Sequence, residues 1–319
     1  RLSPNCSSLI QTQKKPPKNL KKPKAKHMLF DFHCHSTASD GALSPEKLMA
    51  RAARNGARHI ALTDHDQLAG LASARQTAEQ FGMQFIDGVE VSVSWRGMSV
   101  HIVGLNLDIH NTALQQGLAK NASGRAERAV IIAQQLEEIG VKNALERALA
   151  EADGRMDLLA RTHFARVMVA DKKAISVRHV FQNYLVEGKP GFVAHEWAEL
   201  AQAIDWIHGA GGIAVLAHPG RYPHDADSEL DLVREFVGLG GQAIEVVTGS
   251  HSKQQFKHYA QICADFDLFA SAGSDFHGAG ESRASSGLPR PVHAHRRCGG
   301  RHLDRGIGVR GAGPDPRSA

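Results

Sequence analysis

The chain has 319 residues, 42% hydrophobic and 22% charged, the composition of an ordinary water-soluble protein long enough for one large domain or two small ones. No apolar run approaches the roughly 20 residues of a membrane span, no apolar stretch follows the basic N-terminus as in a secretory leader, and Cys6, Cys34, Cys263 and Cys298 form neither a disulfide framework nor a paired zinc motif, so a cytoplasmic setting is expected. The net charge of +5 hides an asymmetry: residues 1–27 carry +8 and residues 281–319 carry +5, which leaves 28–280 at −8, an acidic core poorly suited to sequence-independent nucleic-acid binding.

Residues 1–27 are lysine-rich and proline-broken and cannot bury a core. They are expected to be a disordered tail outside the native sequence, with Met28 as the native start; a genuine basic arm is the alternative. From there short apolar runs alternate with amphipathic stretches. The runs Leu29–His33, His59–Thr63, Gln84–Gly88, Ser99–Leu105, Ile213–Ala217, Ala243–Val247 and Leu268–Ala272 read as strands. Pro45–Asn55, Leu68–Gln80, Ala198–Gly209, Glu229–Leu239 and Lys253–Phe266 read as helices. This βαβα order implies a mainly parallel sheet or barrel, carried by residues 28–110 and 191–280. Residues 111–190 break the rhythm: they read as almost wholly helical, clearest over Ala126–Glu138 and Lys142–Ala152, and so as a helical insertion. Residues 281–319, rich in Arg, Gly and Pro, show neither a period of 2 nor one of 3.6; they read as an irregular tail, disordered or the product of a shifted reading frame.

The chemistry lies at the strand ends. In Phe30-Asp31-Phe32-His33-Cys34-His35 the alternation of a strand puts His33 and His35 on one face, spaced to chelate one metal. Asp40 follows on the loop, as a further ligand or as a cap before the helix at Pro45. His65 ends the second strand in Leu62-Thr63-Asp64-His65-Asp66, with Asp64 as an orienting partner; either Asp could instead cap the next helix. Glu90 closes the third strand, where burial without a partner is costly. His101, inside an apolar run, is a core residue or a ligand. His218 ends the strand IAVLAHPG, and Asp275 and His277 in GSDFHG repeat the geometry of the first motif. In a wound parallel sheet these ends converge, and so many imidazoles and carboxylates at one rim describe a multinuclear metal site. The remaining histidines read as surface or structural.

The motifs HCHSTASDG, ALTDHD, GVEVS, AHPGRY and GSDFHG, with His101, resemble in that order those of the polymerase and histidinol phosphatase (PHP) family, over about Leu29 to Gly278. The resemblance implies a distorted (β/α)7 barrel, TIM-like, with a trinuclear centre at its C-terminal rim. It implies that His33, His35, Glu90 and Asp275 hold one metal, that Asp40, His65 and His277 hold a second, and that Glu90 bridges to a third held also by His101 and His218. No ligand position is missing. Three divalent ions are expected, Mn²⁺ first, with Zn²⁺ or Fe²⁺ suiting the same donors.

The helical insertion and the wording of the last two motifs are similar to the nucleotide-acting subgroup, 3′,5′-nucleoside bisphosphate phosphatases and 5′–3′ exoribonucleases of short RNA. That implies phosphoester hydrolysis by a metal-bound hydroxide. The insertion would cap the barrel mouth, with Arg221, Arg128, Arg125, Arg161 and Lys189 as phosphate-binding candidates. Arg125 and Arg128, at i, i+3 on a helix, equally suit a solvated face. Asp66 or His195 are candidate proton donors. A nucleotide or short RNA is the expected substrate, with no membrane and no obligate protein partner. Histidinol-phosphate phosphatase, or another small-molecule phosphatase, is the enzymatic alternative. A nucleic-acid-binding module is the other class; it would bind without metal and lose affinity steeply with salt.

Overall fold

Local sequence sets the first βα unit: Ser44 caps the helix through the Lys47 amide and Pro45 opens it. The computed structural model describes residues 29–223 and 225–281; the expectations for residues 1–27, for Met28 and for the tail beyond Glu281 lie outside them. The elements in order are β1 (Leu29–Asp31), α1 (Pro45–Arg54), β2 (Ala57–Leu62), α2 (Leu71–Gln80), β3 (Gln84–Trp95), β4 (Met98–Leu105), α3 (Thr112–Glu138), α4 (Ala144–Glu151), α5 (Arg161–Ala170), α6 (Val177–Val180), β5 (Ala198–Glu199), α7 (Leu200–Gly209), β6 (Ile213–Leu216), α8 (Ala226–Gly238), β7 (Ala243–Val247), α9 (Lys253–Asp265) and β8 (Phe269–Ala272). Among the described residues no helix is long and apolar enough to cross a membrane.

The strands pair in the order β1-β2-β3-β4-β6-β7-β8, with β5 beside β3. Five of these pairings are parallel, β1/β2, β2/β3, β3/β5, β6/β7 and β7/β8. The expected parallel sheet is interrupted once: β3 and β4 form an antiparallel hairpin, and β4 is antiparallel to β6. The cause is local. Arg96 and Gly97 both have positive φ, 46° and 80°, the two-residue turn that folds one long β3 straight back on itself. No ladder joins β8 to β1. Instead the segments just beyond them share a short seam: Phe32 N–H donates to Ala272 O at 3.0 Å, Asp275 N–H to His33 O at 2.8 Å and His35 N–H to Phe276 O at 3.0 Å. The ring of strands is thereby brought round into a distorted α/β barrel. Its interior is filled by Ala61, Ile86, Val103, Val215 and Ala243, drawn from successive strands, with Phe32 from the seam.

The helical stretch is not set apart at its first residue. α3 is one continuous helix of 27 residues. Its first turns pack Leu114 and Leu118 against Leu200, Ile204 and Ile207 of α7 in the barrel's outer core. Gly117 is there to admit the Trp206 ring; a Cβ would lie 2.4 Å from it. Only from Ala129 onward does the stretch build a core of its own, with Ile132, Leu136, Phe164, Met168 and Leu185. One continuous stripe of α3 is buried against two successive cores, and the polar Asn121 and Arg125 within it break the amphipathic signature of the first half.

Candidate metal centre

His33 and His35 stand on the chain just past β1, Asp40 on the following loop, His65 just past β2, and Glu90 and His101 on facing strands of the hairpin. His218 follows β6; Asp275 and His277 follow β8. The structure brings all nine side chains together. Four overlapping groups have their donor atoms within 4.8 Å of one another: His35, Asp40, His65 and His277; His33, His35 and Asp275; His33, Glu90 and His218; His65, Glu90 and His101. These groups cut across the partition implied by the resemblance, with His33, His35, His65 and Glu90 each serving two of them.

Glu90 is the hub. Its Oε1 lies 2.8 Å from His101 Nδ1 and 2.9 Å from His218 Nε2. Its Oε2 lies 3.0 Å from His65 Nδ1 and 3.2 Å from both His33 Nε2 and His35 Nε2. Those two Nε2 atoms are themselves only 3.0 Å apart. Two imidazole lone pairs and a carboxylate oxygen aimed at one point fit a cation there better than any arrangement of protons. The buried atoms without a hydrogen-bond partner agree: Asp40 Oδ1, His65 Nδ1, Glu90 Oε2 and Asp275 Oδ1 all belong to the cluster. The donor set, imidazole and carboxylate, suits Mn²⁺, Zn²⁺ or Fe²⁺.

Burial alone would push these carboxylates towards the neutral form. For Glu90 the charges of His33, His101 and His65 outweigh it, for Asp40 those of His277, His65 and His35, and for Asp275 the Arg221 guanidinium, so all three are held well below the usual carboxylate range. Burial lowers His65 and His218 to about 4, whereas for His33 and His35 the facing carboxylates outweigh burial, raising His33 well above its usual value and His35 to about 9. His218 and Asp275 sit at positive φ, 29° and 50°, a backbone cost tolerated where function fixes the side chain.

The sequence reading missed what holds these groups. Buried Glu245 on β7 faces His33 Nδ1 with Oε1 at 2.9 Å and accepts the His218 amide on Oε2 at 2.7 Å, a carboxylate that orients one ring and one loop at once. The lone Glu in the apolar run AIEVV was the available signal. Asp64, expected to orient His65, instead accepts from Ser36 N–H at 2.7 Å, Ser36 Oγ at 2.6 Å and Ser39 Oγ at 2.6 Å. It thus shapes the loop that carries Asp40.

The cations divide. Arg221 pairs with Asp275 at the edge of the cluster and remains partly exposed. Arg128 donates from Nε to Val193 O at 3.0 Å, and Arg161 donates to Leu185 O at 3.1 Å. Arg125 is a correction: it is buried, pairs with Asp66, donates to Ser92 Oγ at 2.9 Å and lies over the Trp197 ring, so its guanidinium is engaged in structure, neither solvated nor open to substrate. Lys189 is exposed in a turn that its own amide closes on Val186 O at 3.0 Å. Asp66 does not suit a proton donor. It also accepts from Ser92 N–H at 2.9 Å and Asn121 Nδ2 at 3.1 Å, and although burial opposes ionisation, Arg125 outweighs it and lowers the pKa. His195 is half-buried against Trp197, its ring centroid 4.1 Å away, and a Cβ on Gly124 would meet it at 2.4 Å.

His163, one turn into α5, is also not a bystander. Its Nδ1 accepts the Ala160 amide at 3.0 Å, and burial lowers its pKa to about 4 against the pull of Asp40. A depressed imidazole takes its proton more readily in the unfolded chain, so this group withdraws stability as pH falls below the ordinary value of 6.5 towards 4. His163→Asn, which keeps an acceptor at that place, is expected to recover up to about 3 kcal/mol of the loss at pH 4. Urea unfolding from pH 7 to 4 measures it; an unchanged slope would show that the ring protonates as easily folded as unfolded.

Comparison with known proteins places this geometry. A family model described as the PHP domain matches residues 31–248. A 3′,5′-nucleoside bisphosphate phosphatase of Chromobacterium violaceum is 45% identical over 252 residues, 79% of this chain and 88% of that protein. A 5′-3′ exoribonuclease of Haemophilus influenzae is 42% identical over 248 residues, 78% of this chain and 89% of that protein. A solved structure of a C. violaceum amidohydrolase, with sulfate bound and no metal, superposes with a TM-score of 0.82 at 42% identity, covering 87% of this chain and 95% of that one.

Proposed function

Because the chain belongs to the PHP domain family, we propose that it is a metal-dependent hydrolase of nucleotide phosphate esters, acting on 3′,5′-nucleoside bisphosphates, on short 5′-phosphorylated RNA, or on both. The observation that carries this reading is the convergence of His33, His35, Asp40, His65, Glu90, His101, His218, Asp275 and His277, with orphaned acceptor atoms, beside Arg221 paired with Asp275. The nine side chains would hold three divalent ions, Mn²⁺ foremost. The ions, when bound, supply a water nucleophile near neutral pH and neutralise charge on the phosphoryl oxygens.

The chain's own residues would do the rest. Glu245 keeps His33 in the tautomer with the proton on Nδ1, so Nε2 is free to ligate. Burial, with Arg161 and Arg125 nearby, lowers Arg128 to about 9, and burial, with Arg221 and Arg125, lowers Arg161 to about 10. Guanidiniums this crowded favour an anion between them. Arg221, Arg161 and Arg128 would therefore position the substrate phosphates, and residues 111–190 would cap the mouth. The similarity to a bisphosphate phosphatase and an exoribonuclease supports a nucleotide over histidinol phosphate.

The test is phosphate release with Mn²⁺ from adenosine 3′,5′-bisphosphate, a 5′-phosphorylated RNA trinucleotide and histidinol phosphate, each with His33→Ala as control. Release from either of the first two, lost in the variant, is expected. Release from histidinol phosphate alone would overturn the nucleotide assignment and leave the metal site standing.

A further inference from the structure

The helical insertion reaches into the cluster at one point. Thr162, buried near the start of α5, donates its hydroxyl proton to Asp40 Oδ2 at 2.8 Å, across 122 residues of sequence. The other oxygen, Asp40 Oδ1, has no hydrogen-bond partner and lies 3.4 Å from His277 Nε2 and 3.9 Å from His65 Nε2. We propose that Thr162 is a positioning residue for the metal held by Asp40, His65 and His277: it occupies one carboxylate oxygen and so presents the other to the ion. The proposal rests on the metal reading above.

α5 is well placed to do this because it is tied to two of the three loops that supply the group, those of Asp40 and His277. Thr162 grips the loop after β1. One turn on, Arg166 makes a two-pronged pair with Glu281, Nε and Nη2 each 2.9 Å from a carboxylate oxygen, four residues past His277. The two loops are also joined directly, Ala42 N–H to His277 O at 2.6 Å. Arg161, adjacent to Thr162, is anchored on Leu185 O. A carboxylate on a loop has two rotatable bonds and two equivalent oxygens; a fixed donor on a rigid helix removes that ambiguity. The insertion then contributes to the metal centre itself, besides covering it.

The experiment compares wild type, Thr162→Val and Thr162→Ser, each loaded with Mn²⁺ and equilibrated against graded chelator, with bound metal per chain read by elemental analysis and folding checked by thermal melting. Valine keeps the shape and removes the donor; serine keeps the donor. The expected result is that one ion is released from the valine variant at roughly 10- to 100-fold lower chelator concentration, the others unchanged, with serine close to wild type. Thr162→Ala gives a second donor-free variant should valine fail to fold. Equal retention of every ion in valine or alanine, or equal weakening of all of them, would overturn the proposal. A wild-type chain that takes up no ion would overturn the metal reading, and this inference with it.

Discussion

Glu90→Ala is expected to lower phosphate release by on the order of 10³-fold or more and to strip the protein of metal. Five imidazoles, those of His33, His35, His65, His101 and His218, lie within 3.2 Å of its two oxygens. No other residue among those described touches so many of the candidate ligands. Without the carboxylate the rings have no common anion, and divalent ions would have to be held by the remaining two acids at the other side of the cluster. Glu90→Gln, which keeps the shape and loses the charge, is expected to behave nearly as badly. Residues that act as one unit are strongly non-additive, so adding His33→Ala to Glu90→Ala should cost little more. Single-turnover rates and metal content of the two single variants and the double variant test this. Additive losses would mean that Glu90 and His33 serve separate functions.

Arg125→Ala is expected to destabilise the fold by about 3–5 kcal/mol, because it leaves the Asp66 carboxylate buried and uncompensated. The pair sits where three elements meet: Asp66 follows β2, Ser92 is on β3, and Asn121 and Arg125 are on α3. Asn121 also donates to Ser92 O at 2.8 Å and accepts the Ala198 amide at 3.1 Å, so the network includes the short β5. The penalty comes from the stranded charge, so Asp66→Asn in the same chain should restore a large part of it. Denaturant midpoints of the two single variants and the double variant decide the matter. A loss below about 1 kcal/mol for Arg125→Ala would show that water reaches Asp66 and that the pair is a surface one.

The candidate site was legible in the sequence because its residues fall at strand ends, where periodicity stops and the local spelling becomes unusual. HxH, DHD and DFH interrupt apolar runs in a way that core packing gives no reason for. The supports were less visible. Glu245 lies in the middle of a strand, and only its pairing with His33 from a distant strand reveals its purpose. Asp64 looks the same on paper whether it orients His65 or gathers Ser36 and Ser39. Arg125 and Arg128 stand three apart on one helix, yet one is locked to Asp66 and the other to a backbone carbonyl, a difference set by what α3 packs against.

In the fold, βα order was readable from alternation of pattern. The sense of β4 was not, because an apolar run has no direction. The missed cue was Arg96-Gly97, a loop too short for a parallel crossover. The length of α3 was hidden by Gly117, Asn121 and Gly124, which weaken helix propensity but let Trp206, Ser92 and His195 approach the helix.

The seam beside β1 and β8 sets a timetable. His33 and Ser274, joined there, are 241 residues apart in the chain. A ribosome adding roughly 5–20 residues per second exposes His33 and His35 for tens of seconds before Asp275 and His277 exist. Through that interval the nascent chain offers at most fragments of the cluster, each a weak chelate, to whatever ions the surroundings supply. The finished cluster arises when the last strand docks beside the first, and ion selection then falls to a preorganised cage in place of a flexible peptide. On the metal reading proposed above, the choice of ion would then be made after translation, by the geometry of closure and by the free ion pool at that moment.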